Sequence, residues 1–364
     1  MQPGWLHEDG AKRSDEQAAE RDERAPDGVS RRGFLQGGFV AGVAAGVAAG
    51  ATLAASHQEA HAQAAANPFG RSWWPSPFGP TDEVGASQRV TPAKVLQATQ
   101  LIKTGRVFQL GRVYEHGIPL FGNRHLSITI PGGPTGGPFG TAKLMYNDEM
   151  FSGEIGQVGT QFDGLGHIST IVGTEPVYYN GLKQSEVGGA YGLQKLGVHN
   201  VRPFFTRGVL IDVLALKGGD MLPLGYVITP ADVQAALARQ GTREPGEGDV
   251  VLFRTGWGKL WMKDNKKFNE GTPGMGVTVA RWLIGRKVCL VAHDHWSGEA
   301  VPGEDKDRPF ECHQWLIMMN GIHIHENLDM EELAAARAYE FAYVFAPLRL
   351  KGATGSPGNP VAVT

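Results

Sequence analysis

Residues Gln157 to His167, reading Gln-Val-Gly-Thr-Gln-Phe-Asp-Gly-Leu-Gly-His, concentrate cation-binding side chains around a Gly-Thr turn. In an extended segment Gln157, Gln161 and Asp163 differ by even numbers and share one face, while Gly159, Gly164 and Gly166 let the backbone close around an ion. His167 then stands just beyond the ligands, where a neutral imidazole serves as general acid or base. A second cluster, His313-Gln314 followed by Gly321 to Leu328 with Glu326 inside it, supplies an imidazole and a second carboxylate. Asp163, His313 and Glu326 together offer one nitrogen and two oxygens, a set that binds a divalent cation and leaves positions open for water and substrate. On spacing alone the first segment also fits a polar strand in a glycine-rich sheet, and His313 and Glu326 also fit two separate surface residues.

Further stretches follow in a fixed order: Trp73-Trp74, Asp82 to Gly85, Tyr179-Asn180-Gly181, Arg207 to Asp212, Asp294 to Trp296, Glu299 to Asp305, Glu326-Asn327-Leu328 and Lys351 to Pro357. With the two clusters, they make the chain from about Arg71 onward resemble the bacterial cyclase family, the superfamily of kynurenine formamidase and isatin hydrolase. The signature of that family is HxGTHxDxPxH followed by a distant His and Glu. The resemblance implies that Gln157, Gln161 and Asp163 stand where one ion is held in two-metal members. Asp163, His313 and Glu326 stand where the other is held, and His167 stands at the proton shuttle. Both early histidines are glutamines here and the signature proline is Leu165. A neutral amide oxygen is a weaker ligand than imidazole, so the expectation is one divalent ion, Mn²⁺ or Zn²⁺, rather than two. Gln161 would complete its shell or hydrogen-bond its water, and Gln157 is the weaker candidate.

The activity the resemblance implies is metal-dependent hydrolysis of a small amide, an aryl formamide or a cyclic amide such as an isatin-like compound, with His167 moving the proton. Phe162, Trp73, Trp296, Asp294 and Glu299 are the pocket candidates, and Trp74, Phe78 and Tyr178 could also stack on an aromatic substrate. No GxSxG elbow occurs, which disfavours a serine mechanism. Two other readings stay open: a lyase or isomerase that uses His167 next to a carbonyl, and a non-catalytic periplasmic binding protein on the same scaffold.

The beginning of the chain sets the expected compartment. Ser30-Arg31-Arg32-Gly33-Phe34-Leu35-Gln36 resembles the twin-arginine export motif and precedes an apolar run from Phe39 to Ala55, too short and too weakly hydrophobic for a spanning helix. Ala60-His61-Ala62 or Ala62-Gln63-Ala64 offers a cleavage site. The expected organisation is a removed signal over residues 1–62, an extension over 63–90 and a catalytic domain over 91–364. The product would be a periplasmic protein whose partners are the export machinery and a small-molecule substrate, without a stable membrane anchor. Removing residues 1–62 leaves 28 Lys/Arg and 28 Asp/Glu, a balance that attracts no nucleic acid. Cys289 and Cys312 are expected as buried free thiols, although an oxidising compartment would allow a bridge. Family members are usually oligomeric, so a homo-oligomer is expected.

The elements that must position these residues alternate between helix and strand. Thr91-Pro92 and Thr229-Pro230 open helices ended by Gly105 and Gly241, and Asp329 with Glu332 matches a capping box. Val107 to Leu110, Val250 to Arg254 and Val288 to Ala292 read as strands, the last delivering His293-Asp294-His295 to its end. Those two histidines are expected to be structural, and at least one of His323 and His325 hydrogen-bonded near the surface. The pattern is α/β. The resemblance implies the swivelling β/β/α cyclase-like fold, a single domain with a barrel-like mixed sheet flanked by helices, and 51 glycines suit a site built on loops.

Overall fold

Val250-Val251-Leu252-Phe253 is an unbroken apolar run, and it forms a strand with all four residues buried. A strand covered on both faces needs such a run, and parallel sheets sandwiched between other layers supply that setting. The structure, a computed structural model, describes residues 67–364; the export-signal reading of residues 1–62 and the start of the 63–90 extension lie outside the described residues. The main sheet comprises β1 (Val107–Gln109), β2 (Gln161–Asp163), β3 (Phe204–Asp212), β4 (Val250–Arg254), β5 (Leu290–His293), β6 (His323–Glu326), β7 (Glu340–Phe345), β8 (Gly355–Pro357) and β9 (Val361–Val363). Their spatial order is β1-β9-β7-β3-β4-β5-β6-β2-β8. β3, β4, β5 and β6 run parallel, and antiparallel strands flank them on both sides. This is the expected α/β architecture, a mixed, barrel-like sheet flanked by helices.

Helices α1 (Pro92–Thr99), α2 (Pro230–Gln240) and α3 (Val277–Gly285) pack beside the sheet, with Val233, Ala236 and Leu237 of α2 and Val279, Ala280 and Leu283 of α3 joining the core of β3, β4 and β5. The start of α2 is fixed by Thr229 and Asp232, which form a reciprocal capping box, and its end by Gly241 at φ 65°. Helix α1 stops earlier than expected. Beyond Thr99 the amides of Leu101 and Ile102 bond only three residues back, and Thr104 and Gly105 donate to the Thr364 carbonyl at the end of β9. Gly105 therefore closes the link to β1 rather than the helix.

Two further expectations need correction. Asp329 does not cap a helix by a capping box: α4 spans Glu331–Ala335, and Asp329 Oδ1 accepts only from Glu331 N while Oδ2 is held by Arg112 at 2.7 Å. His323 and His325 are both fully buried on β6 rather than near the surface, His323 against the Asp163 carbonyl (3.1 Å) and His325 against the Tyr343 hydroxyl (2.8 Å). Cys289 and Cys312 are free and buried. No helix among the described residues is long and apolar enough to cross a membrane.

Candidate metal centre

Strand β2 lies between β6 and β8, with Gln161 opposite Glu326 and Asp163 opposite Ile324. The two-residue period of a strand sends Gln161 and Asp163 to the site face and Phe162 to the other. Phe162 thus packs on Phe204, Phe345 and His323 behind the sheet and lines no cavity at the site, contrary to its place among the pocket candidates. The even spacing covers only Gln161 and Asp163. Gln157 reaches the site from the preceding turn, where Gly159 has φ +64° and a Cβ would stand 2.6 Å from the Tyr114 ring. Only glycine fits that turn without displacing Tyr114.

His313 closes a one-turn helix, Glu311–His313, and its ring is fixed from behind. Its Nδ1 lies 2.7 Å from Glu299 Oε1, and the backbone amides of Cys312 and His313 donate to the same carboxylate at 3.1 Å. The Nε2 atom faces Glu326 Oε1 at 3.3 Å and Asp163 Oδ2 at 3.9 Å. Ligand atoms of Asp163, His313 and Glu326 lie within 4.8 Å of one another, and all three residues are buried. On the opposite side of the two carboxylates, Gln157 Nε2 donates to Asp163 Oδ1 at 3.0 Å and Gln161 Nε2 to Glu326 Oε2 at 2.6 Å.

Burial penalises a charge on His313, yet its hydrogen bonds with Glu299 and Glu326 raise its pKa to about 10. Burial, then the neighbouring Asp163, pushes the Glu326 carboxyl up. Three buried acids around one imidazole therefore form a centre that favours a cation. Asp163 Oδ2 is buried without a hydrogen-bond partner. Such an orphan acceptor is rare in folded proteins and fits an ion position. The trio offers one nitrogen and two carboxylate groups, a set that suits a bound metal ion. The glutamines present amide N–H groups to the carboxylates, and Gln157 Oε1 is likewise buried without a partner.

His167 lies beside this centre, its Nε2 4.0 Å from Asp163 Oδ1 and about a fifth of its side chain exposed (21%). Burial lowers its pKa, and His313 and Arg124 lower it further against the pull of Asp163, which keeps the ring neutral near pH 7. Above it opens a cavity of about 120 Å³ whose walls include Phe121, Arg124, Ile168, Trp296 and Phe310. A larger groove of about 720 Å³ lies beside Arg239 and Arg254, but Arg254 is paired there with Asp212 and Glu331, and no ligand set converges in it.

Of the remaining pocket candidates, Trp296 lines the cavity. Trp73 sits in a separate cluster with Trp315 and Met318, its indole donating to the Tyr178 carbonyl. Asp294 is buried and accepts from Thr255 N and Oγ1 and from Gly256 N, so it shapes a loop rather than the cavity. Glu299 grips His313 instead of facing a substrate. His293 and His295 are fully buried core residues, and His293 stacks on Phe253 at 5.4 Å. Sequence reasoning missed Phe121, Arg124 and Phe310. The first two lie in a stretch without a motif, whereas Phe310 stands three residues before His313 and was within reach of that clue.

A model of the family described as "Putative cyclase" matches residues 108–300. A solved structure of a novel cyclase is 32% identical, with 79% of this chain and 98% of that chain covered and a TM-score of 0.69. Isatin hydrolase A from Labrenzia aggregata is 21% identical over 71% of this chain and 94% of its own, with a TM-score of 0.52. The isatin hydrolase A from Ralstonia solanacearum is 23% identical over 71% and 92%, with a TM-score of 0.51. At that identity the two hydrolases are similar in fold. No curated protein matches the chain.

Proposed function

The chain belongs to the cyclase family, and on that premise we propose that it is a metal-dependent hydrolase that cleaves the C–N bond of a small aryl or cyclic amide. The observation that carries this reading is the buried Asp163, His313 and Glu326 trio, with one orphan carboxylate oxygen, beside a neutral His167 at the base of an aromatic-walled cavity. Asp163, His313 and Glu326 would hold one ion, Mn²⁺ or Zn²⁺. Such an ion supplies Lewis acidity toward water and toward a carbonyl.

The protein's own groups do the rest. Glu299 fixes the His313 ring so that Nε2 faces the centre. Gln157 and Gln161 each hold one carboxylate oxygen, which supports a single ion. His167 takes a proton at the cavity floor and returns it to the leaving nitrogen, and the nearby Asp163 carboxylate stabilises the imidazolium formed between those events. Phe121, Trp296 and Phe310 support binding of a flat ring, and Arg124 adds a cation for a carbonyl or carboxylate oxygen. The isatin hydrolases among the fold neighbours favour the cyclic-amide class. On the twin-arginine-like stretch Ser30 to Gln36, we place the working enzyme in the periplasm.

The test is elemental mass spectrometry of the purified protein, followed by incubation with aryl formamides and isatin-like lactams. About one Mn or Zn per chain is expected, with a ring-opened product one water heavier from a lactam, or an arylamine and formate whose masses together exceed an aryl formamide by one water. A product of unchanged mass would replace hydrolysis with isomerisation. A metal content near zero that added ion cannot raise would favour a binding protein on this scaffold.

A further inference from the structure

Two cations lie over the indole of the buried Trp315: the guanidinium carbon of Arg281, on α3, is 4.3 Å from the ring centroid and that of Arg71 is 4.9 Å from it. Phe69 packs edge-on against the same indole at 5.7 Å, and Arg308 lies over the Phe69 ring at 5.3 Å. Together these residues line a groove of about 550 Å³. Arg308 pairs with Glu311 at 3.0 Å. Among the described residues Arg71 and Arg281 have neither an ion-pair partner nor a hydrogen bond from their guanidinium groups. Three guanidiniums against one carboxylate leave an excess of two positive charges. The residues before Asn67, Gln63 to Ala66, add no acid. An aromatic face holds an arginine in place without using its N–H donors. A concave wall of one sign backed by apolar rings concentrates counter-ions, and the paired N–H groups of arginine match the oxygens of a carboxylate, sulfate or phosphate.

We propose that the groove of Arg71, Arg281 and Arg308 binds a small, doubly charged oxyanion, and that the bound ion steadies the segment that carries His313. The excess charge sets the charge of the ligand, and the gathering of the three arginines over two adjoining rings suits a compact ion. The link to the metal centre runs through Glu311, whose Oε1 accepts from Arg308 Nη1 and from Trp315 Nε1, each at 3.0 Å. Arg308 also donates to the Pro68 carbonyl at 2.9 Å. Two residues further on, Phe310 lines the catalytic cavity with a left-handed backbone, φ 57°. A residue with a side chain keeps that conformation only where its surroundings impose it. Arg308 has five N–H donors and spends two on Glu311 and Pro68, so an anion engages the others and ties residues 308–313 down without drawing Arg308 off Glu311.

Isothermal titration of the metal-loaded full chain with sulfate, at an ionic strength held constant with chloride, tests the proposal without any substrate and so independently of the reaction. One saturable site per chain is expected. The double variant Arg71→Gln/Arg281→Gln, shown to be folded by circular dichroism, should bind sulfate at least ~10-fold more weakly, because two charged hydrogen-bond donors are gone. Arg124→Gln should bind it as wild type does. Heat that chloride alone reproduces, binding that the double variant retains, or binding lost in Arg124→Gln, which would put the ion in the catalytic cavity, would each overturn the site. Succinate in place of sulfate separates the two sources of such an ion: tighter sulfate assigns an inorganic ion, tighter succinate an organic dicarboxylate. Amide hydrogen exchange over residues 309–313 should slow in saturating sulfate, and unchanged exchange would reject the link to the metal centre.

Discussion

Asp163 does two jobs with its two oxygens: Oδ1 accepts from Gln157 and faces His167, while Oδ2 points unpartnered at His313. Asp163→Ala should therefore remove metal and activity together. His167→Ala should leave the ion content unchanged and lower kcat by about 10²- to 10⁴-fold, the usual contribution of a positioned proton carrier. Near-normal turnover in that variant would end its role as shuttle. Glu299→Gln keeps the shape of the carboxylate and removes its charge from behind His313, so affinity for Mn²⁺ or Zn²⁺, read by chelator competition, should fall about 10- to 100-fold. At this scale the sequence was informative about residue types and poor about their partners. Asp163, His313 and Glu326 were recognisable from order and chemistry, whereas the grip of Glu299 on His313 depends on a loop whose path no local pattern encodes.

At the scale of elements, the site rests on one short strand and the turn before it. Gly159 holds a left-handed conformation against the Tyr114 ring, and Tyr114 in turn donates to the Thr160 carbonyl. Gly159→Ala should cost at least about 1 kcal/mol from its backbone conformation alone, with more from displacing Tyr114, and should shift the urea midpoint downward. If the midpoint is unchanged, the turn does not constrain the site. Helix α2 and strand β4 were legible because Thr229, Pro230, Gly241 and an apolar run mark their own limits. The ends of α1 and α4 were not, since Thr364 and Arg112, both distant in sequence, compete for the groups that would have continued or capped them.

For the molecule as a whole, the layer of buried histidines sets a dependence on pH. Burial drives the His295 pKa down to about 3. Below pH ~6.5 the unfolded chain takes up a proton that the folded chain refuses, so stability falls as pH falls through the window between those values. The slope for one such group approaches about 1.4 kcal/mol per pH unit, or roughly 2 kcal/mol between pH 6.5 and 5. Urea titrations at pH 7 and pH 5 should show the loss, and His295→Gln should reduce its slope by about one proton's share while His293, His323 and His325 keep theirs; an equal slope in the variant would contradict this account.

The neighbours of β2 in the sheet are residues 323–326 and 355–357, so the strand that carries Asp163 has no hydrogen-bonded flank until the last third of the chain is in place. His313 and Glu326 belong to that same late portion. Contacts of such long range are slow to close. A nascent chain that has emerged only as far as Asp163 holds one ligand of the three, so ion capture must be among the last events of folding, and its rate should report completion of the sheet rather than encounter with the ion.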